Sequence, residues 1–194
     1  MKRTFFIIPG FRHSARQKQY QWLCKYLKDK NYIVKTVEVN WNNRVMSDYV
    51  CDFERYYNLH KSEENHVLGF SYGAMIAFIS APRLRPKTLS LCSLSPYFQQ
   101  DLPFLKQSWI AFVGKRRHED FAQYNADKIA SLIDSSTTVF YGSQEGKKYP
   151  QLRVRCEAAA STISGAELVI ADDAPHKIDD PSYIAAIKNT IHNR

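Results

Sequence analysis

The chain has 194 residues, 44% of them hydrophobic, with a formal net charge of +8 and a pI near 9.3. That suits one domain over positions 1–194 with a full core, and excludes a disordered tail. No apolar run reaches membrane-spanning length, and the basic residues form no long run and match no nucleic-acid motif, so neither a membrane span nor nucleic acid is expected.

The first apolar stretch, residues 4–9 (TFFIIP), follows Met1-Lys2-Arg3 and imitates a secretion signal. Its apolar part is too short, and Pro9-Gly10 ends it, so it reads as a strand covered on both faces. Gly10-Phe11-Arg12-His13 is a loop. Ser14 and Gln17 have capping-box spacing and start a helix with Trp22, Leu23, Tyr26 and Leu27 on one stripe. Residues 32–39 (YIVKTVEV) are a second strand. Ser47 is placed to cap the next helix, which carries Tyr49, Val50, Phe53, Tyr56 and Tyr57.

Residues 66–70 form a short buried strand, followed by a helix that Ala81-Pro82 ends. Residues 88–95 (TLSLCSLS) are a fourth strand. Residues 97–136 are the longest connection, with aromatics such as Phe98, Phe104, Trp109, Phe112, Phe121 and Tyr124. They form either a small cap or ordinary crossover helices. Residues 137–141 are a fifth strand, Pro150 suits the first turn of a helix reaching about Ser161, and residues 166–171 are a sixth strand. Asp180-Pro181 opens a final helix with Ile184, Ile187 and Ile191 on one face. Uninterrupted alternation of strand and helix predicts an α/β fold: three α/β/α layers with a doubly wound parallel sheet of about six strands.

The chemistry gathers around Gly69-Phe70-Ser71-Tyr72-Gly73. An apolar strand precedes this Gly-x-Ser-x-Gly and a helix follows it. A serine on such a turn is held in a strained backbone conformation with its hydroxyl off the sheet, and glycines on either side let neighbouring chain pass. The amides of the new helix, Tyr72 first, face any negative charge that develops beside the serine.

A serine hydroxyl needs a base beside it, and the base needs a partner that fixes its tautomer. Of the six histidines, His176 lies in a loop just past a strand's carboxyl end and downstream of the serine. His13 also follows a strand but suits an anion-binding role. His60, His66, His118 and His192 read as surface residues. Glu145, four residues beyond Tyr141, can face the histidine loop; Asp172 and Asp173, within that loop, are its rivals as the acid.

The order Ser71, Glu145, His176 resembles the nucleophile, acid and histidine order of the α/β-hydrolase superfamily. Gly142-Ser143-Gln144-Glu145 is similar to that family's Gly-x-x-Asp element, with Glu in place of Asp, and Pro175-His176 resembles its histidine loop. Relative to the fuller family pattern the chain starts at the third strand, which implies six parallel strands ordered 2-1-3-4-5-6. Pro9-Gly10 stands where the family has His-Gly. The resemblance therefore assigns the oxyanion hole to the amides of Phe11 and Tyr72, and implies a serine hydrolase acting through an acyl-enzyme.

A carboxylic ester or thioester with a modest acyl group is the expected substrate, a small molecule. The positive charge suggests an anionic one, such as a CoA or carrier-protein thioester, with Arg12, Arg16 and Lys115-Arg116-Arg117 near the mouth. The alternative is a catalytically inactive binding protein on the same fold. No metal or other cofactor is expected. Cys24, Cys51, Cys92 and Cys156 have no metal spacing and read as buried or half-buried thiols, so a reducing, cytoplasmic location is expected.

Overall fold

The computed structural model describes residues 1–192, with only the backbone of Phe112. Six strands form one sheet: β1 (Arg3–Ile8), β2 (Ile33–Thr36), β3 (Glu64–Phe70), β4 (Thr88–Cys92), β5 (Ser136–Gly142) and β6 (Glu167–Ala171). Every pairing is parallel, and the order is β2-β1-β3-β4-β5-β6.

The helices divide between the faces as right-handed crossovers demand. Helix α1 (Lys18–Asp29) carries the chain outward from β1 to β2 on one face. Helix α2 (Met46–His60) returns it on the other, and α3 (Tyr72–Leu84) and α8 (Pro150–Thr162) continue there. The last helix, α9 (Pro181–His192), lies beside α1. Alternate residues of the four inner strands, β1, β3, β4 and β5, feed two separate cores. Phe6, Ile8, Val67, Leu89, Leu91 and Val139 pack under α2, α3 and α8. Phe5, Ile7, Leu68, Phe70 and Phe140 pack under α1 and α9 with Tyr20, Leu23, Tyr183 and Ile187. This two-sided burial is why the strands read as unbroken apolar runs.

Between β4 and β5 the chain makes a 3₁₀ turn (Leu102–Phe104) and three short helices, α4 (Gln107–Val113), α5 (Lys115–Phe121) and α6 (Ala126–Ala130). Tyr97 stacks on Trp109 (5.2 Å, 21°) and on Phe121 (5.5 Å, 22°). A buried ion pair, Arg155 to Asp101 at 2.7 Å, ties this segment to α8.

Several local expectations differ. Ser14 does not cap α1. Its hydroxyl accepts Arg16 N–H and donates to Glu38, and α1 starts at Lys18 with no side-chain cap. Helix α2 begins at Met46, so Ser47 lies inside it and bonds Asp120 (2.7 Å), while Asp48 accepts Val45 N–H. Pro82 sits in the body of α3, which runs on to Leu84. Strand β2 stops at Thr36 and β4 at Cys92, each followed by one more backbone bond to its neighbour, Val37 N–H to Ile7 O and Ser93 N–H to Phe140 O. The inward face of α9 carries Tyr183, Ile187 and Ile191, with Tyr183 in the place expected for Ile184.

His66 is 4% exposed, not a surface residue. Its Nδ1 meets Thr88 Oγ1 at 2.8 Å and its Nε2 meets Glu64 at 3.1 Å. Burial pulls its pKa down, against the pull of the Glu64 carboxylate. Cys51 is exposed on α2, Cys24 is half-buried, and Cys92 and Cys156 are buried; all four thiols are free. Among the described residues, no helix is long and apolar enough to cross a membrane and no side-chain cluster has the makings of a metal site.

Candidate active site

The site lies at the carboxyl ends of the strands, where the winding reverses between β1 and β3. Helix α1 leaves β1 on one face there and α3 leaves β3 on the other, and a crevice must open between them. The turn from β3 into α3 is tight. Ser71 has φ 57° and ψ −117°, outside the regions a side chain prefers. Its own amide is anchored to Cys92 O at 2.8 Å, extending the β3–β4 ladder by one bond. A Cβ on Gly73 would run into the carbonyls of Ile8 and Pro9. Glycine is thus required there because α3 leaves directly across the end of β1.

Ser71 Oγ is 3.1 Å from His176 Nε2. The other ring nitrogen, His176 Nδ1, is hydrogen-bonded to Glu145 Oε1. The imidazole is wedged between rings: Phe70 lies at 4.9 Å and Tyr149 at 6.2 Å. Glu145 sits in the first turn of α7 (Ser143–Lys148), directly after β5. At 1% exposure its carboxylate depends on donors. Gly142 N–H and Ser93 Oγ–H supply them to Oε2, each at 2.9 Å. A Cβ on Gly142 would strike the Ala174 carbonyl, so glycine lets the histidine loop close onto the end of β5. The Glu145 amide completes the clasp by donating to Ala174 O.

Asp172 and Asp173 are exposed and take no part in this contact. Asp173 adopts φ 55°, and its amide donates to Ser143 Oγ, so these residues shape the turn. The carboxylate brought to His176 is Glu145.

The loop after β1 passes against the serine. A Cβ on Gly10 would stand 3.4 Å from Ser71 Cβ. Gly10 N–H donates to Tyr20 OH and Gly10 O accepts His13 N–H, closing a turn in which Arg12 has φ 61°. Phe11 occupies that turn, with its ring 5.2 Å from the ring of Tyr72, the first residue of α3. The two residues expected to supply oxyanion amides therefore sit on the two chain segments that flank Ser71. His13 closes this turn. Burial, and then the nearby His176, lower its pKa and so disfavour the charged ring that would suit an anion. Its Nδ1 receives the Gln19 amide at 2.8 Å.

Three features escaped sequence reasoning. Ser93 follows the last residue of β4 in a left-handed conformation (φ 56°) and serves the buried carboxylate. Tyr183 OH lies 2.7 Å from Ser93 Oγ and 3.2 Å from Phe140 O. Ser93 has one proton and commits it to Glu145, so Tyr183 must be the donor to Ser93. Ser95, 3% exposed, sets its hydroxyl 3.5 Å from Ser71 Oγ. The position of Ser93 and Ser95 past a strand's carboxyl end was a usable signal. Nothing in the helical pattern marked Tyr183.

A cavity of about 660 Å³ opens from Ser71 and His176. Its walls come from residues 95–109 and from the end of α7 with the first turn of α8. Of the basic residues placed near the mouth from sequence, Arg12 and Arg117 set their guanidinium groups over the Phe11 ring at 5.2 and 5.5 Å, and Lys115 pairs with Glu119 at 3.7 Å. Arg16 pairs with Glu38 at 2.9 Å. Arg117 donates to the carbonyls of Trp41, Arg44 and Val113, and Arg116 to that of Asn43. The lysines on the cavity are Lys106 and Lys148.

No protein-family model matches the chain, and no curated protein does. Solved structures do. Est1E from Butyrivibrio proteoclasticus superposes with a TM-score of 0.82 at 12% identity, covering 99% of this chain and 88% of that one. An esterase from Pyrococcus furiosus gives 0.72 at 16% identity, over 99% and 81%. A bromoperoxidase from Bacillus anthracis gives 0.73 at 10% identity, over 100% and 91%. At these identities the likeness concerns the fold, and it extends over nearly the whole of each chain.

Proposed function

We propose that this chain, which has the α/β-hydrolase fold, is a serine hydrolase that cleaves a carboxylic ester or thioester through an acyl-enzyme. The observation that carries the reading is the continuous contact from Ser71 Oγ to His176 Nε2, and from His176 Nδ1 to the buried Glu145. The esterases among the structural neighbours agree with it, while the bromoperoxidase is a reminder that fold does not select chemistry.

Ser71 attacks the carbonyl while His176 takes its proton. Glu145 holds the ring with Nδ1 protonated and Nε2 facing the serine, and stabilises the imidazolium. The amides of Phe11 and Tyr72 receive the oxyanion, assisted by the amino end of α3. His176 returns the proton to the leaving oxygen or sulfur. Water then attacks the acyl-enzyme by the same route in reverse. Residues 97–109 act as a small cap whose aromatic side chains shape the acyl pocket.

A fluorophosphonate probe read by intact mass tests the nucleophile. Wild type should take up one equivalent and Ser71→Ala none. Folded wild type that takes up no label would reject the hydrolase reading in favour of an inactive binding protein.

A further inference from the structure

The charged side chains that line the cavity suggest what kind of ester enters it. Apart from His176, they are Lys106, between the 3₁₀ turn and α4, and Lys148, at the end of α7. Among the described residues no carboxylate lines it. The one closest in the chain, Glu145, is buried behind His176 with its oxygens engaged. Acidic partners are common elsewhere on this surface. Arg16 has Glu38, Arg44 has Asp52, Lys87 has Glu64 and Arg83 has Glu54. Among the described residues neither Lys106 nor Lys148 is paired with a carboxylate. Lys148 instead rests over the Tyr149 ring at 5.4 Å.

The remaining wall is largely apolar, with Tyr97, Leu105, Trp109 and Leu152 beside Ser71. Such a cavity is complementary to an amphiphile: an apolar body against the rings and a negative charge at the lysines. An uncharged ester would leave both ammonium groups without an anionic partner.

We infer that the substrate is an anionic ester or thioester, with an apolar segment between the scissile carbonyl and a carboxylate or phosphate held by Lys106 and Lys148. This rests on the serine-hydrolase reading and adds the class of substrate. Both lysines are exposed, so each pairing is screened and contributes a factor of a few, and the two together about tenfold.

Two ester pairs test it and locate the charge. The first sets the 4-nitrophenyl monoester of adipic acid against 4-nitrophenyl hexanoate, with the anion on the acyl side. The second sets the hexanoyl ester of 4-hydroxybenzoate against that of methyl 4-hydroxybenzoate, with the anion on the leaving group. In at least one pair kcat/KM should favour the anion about tenfold at low salt. That preference should shrink in 0.5 M NaCl on general screening grounds. It should fall to about unity in Lys106→Gln/Lys148→Gln and persist in Lys106→Arg/Lys148→Arg. Ratios are read within each variant, so a loss common to all esters cancels, and the salt series on wild type stands if a variant fails to fold. An enzyme that labels at Ser71 but shows no anionic preference in either pair, or keeps it in the double glutamine variant, overturns the inference and leaves the hydrolase reading intact. Absence of labelling removes both.

Discussion

Glu145 shows how much one side chain asks of its surroundings. A carboxylate at 1% exposure is costly without donors, and here the Gly142 amide and the Ser93 hydroxyl supply them. Ser93 can give its only proton to Glu145 because Tyr183 gives one to Ser93. In the proposed mechanism these two hydroxyls act through Glu145 and hold its free oxygen while the other bonds His176. Glu145→Gln should cost several orders of magnitude in kcat, as loss of the correct imidazole tautomer does. Ser93→Ala removes one donor from a charged acceptor and should lower kcat about tenfold with KM little changed. Steady-state kinetics on both variants checks this. Near-normal turnover in Glu145→Gln would take the acid role from that residue.

Among the elements, the segment between β4 and β5 matters most for the site, because it forms one wall of the cavity and α8 forms another. The Arg155–Asp101 pair joins them. Both side chains are buried, Arg155 makes three contacts to the carboxylate at 2.7 to 3.1 Å, and Asp101 also accepts Phe98 N–H. Breaking a buried pair by removing one partner leaves an uncompensated charge, at a cost of about 3 kcal/mol or more. Arg155→Met should therefore lower the denaturation midpoint, and limited proteolysis should cut sooner within residues 97–113. Asp101→Leu/Arg155→Met, which removes both charges, should recover part of the loss. Equal stability in the single and double variants would mean that an unpaired Asp101 carries no cost in this setting.

At the scale of the whole molecule, one sheet serves two cores. Phe5 and Ile7 feed one, Phe6 and Ile8 the other, so neither core survives loss of β1. Trp22 packs on the α1/α9 side, and Trp41 and Trp109 pack on the opposite side. Urea unfolding followed by Trp22 alone, with the other two replaced by Phe, should coincide with unfolding followed by Trp41 and Trp109 in Trp22→Phe, after allowance for the stability change each replacement causes. Both should match far-UV circular dichroism. Separate transitions would mean that the faces unfold independently.

The sequence by itself determined a parallel sheet wound on both faces, while the order of its strands came from the resemblance to the α/β-hydrolase superfamily. Continuous apolar runs alternating with helical stretches leave few right-handed parallel topologies, and Gly69-x-Ser71-x-Gly73 between strand and helix marks one turn within them. Ser71, Glu145 and His176 were legible because each follows a strand at its carboxyl end. Only the tertiary structure shows that Glu145, and not Asp172 or Asp173, lies against His176, since that contact depends on Gly142 letting the histidine loop lie against β5. It also buried His66, reassigned the basic cluster to backbone carbonyls, and brought Ser93 and Tyr183 together across 90 residues. Periodicity reports which face of an element is apolar. It carries no information on which polar atoms meet when those faces close, because that depends on distances between segments remote in the chain.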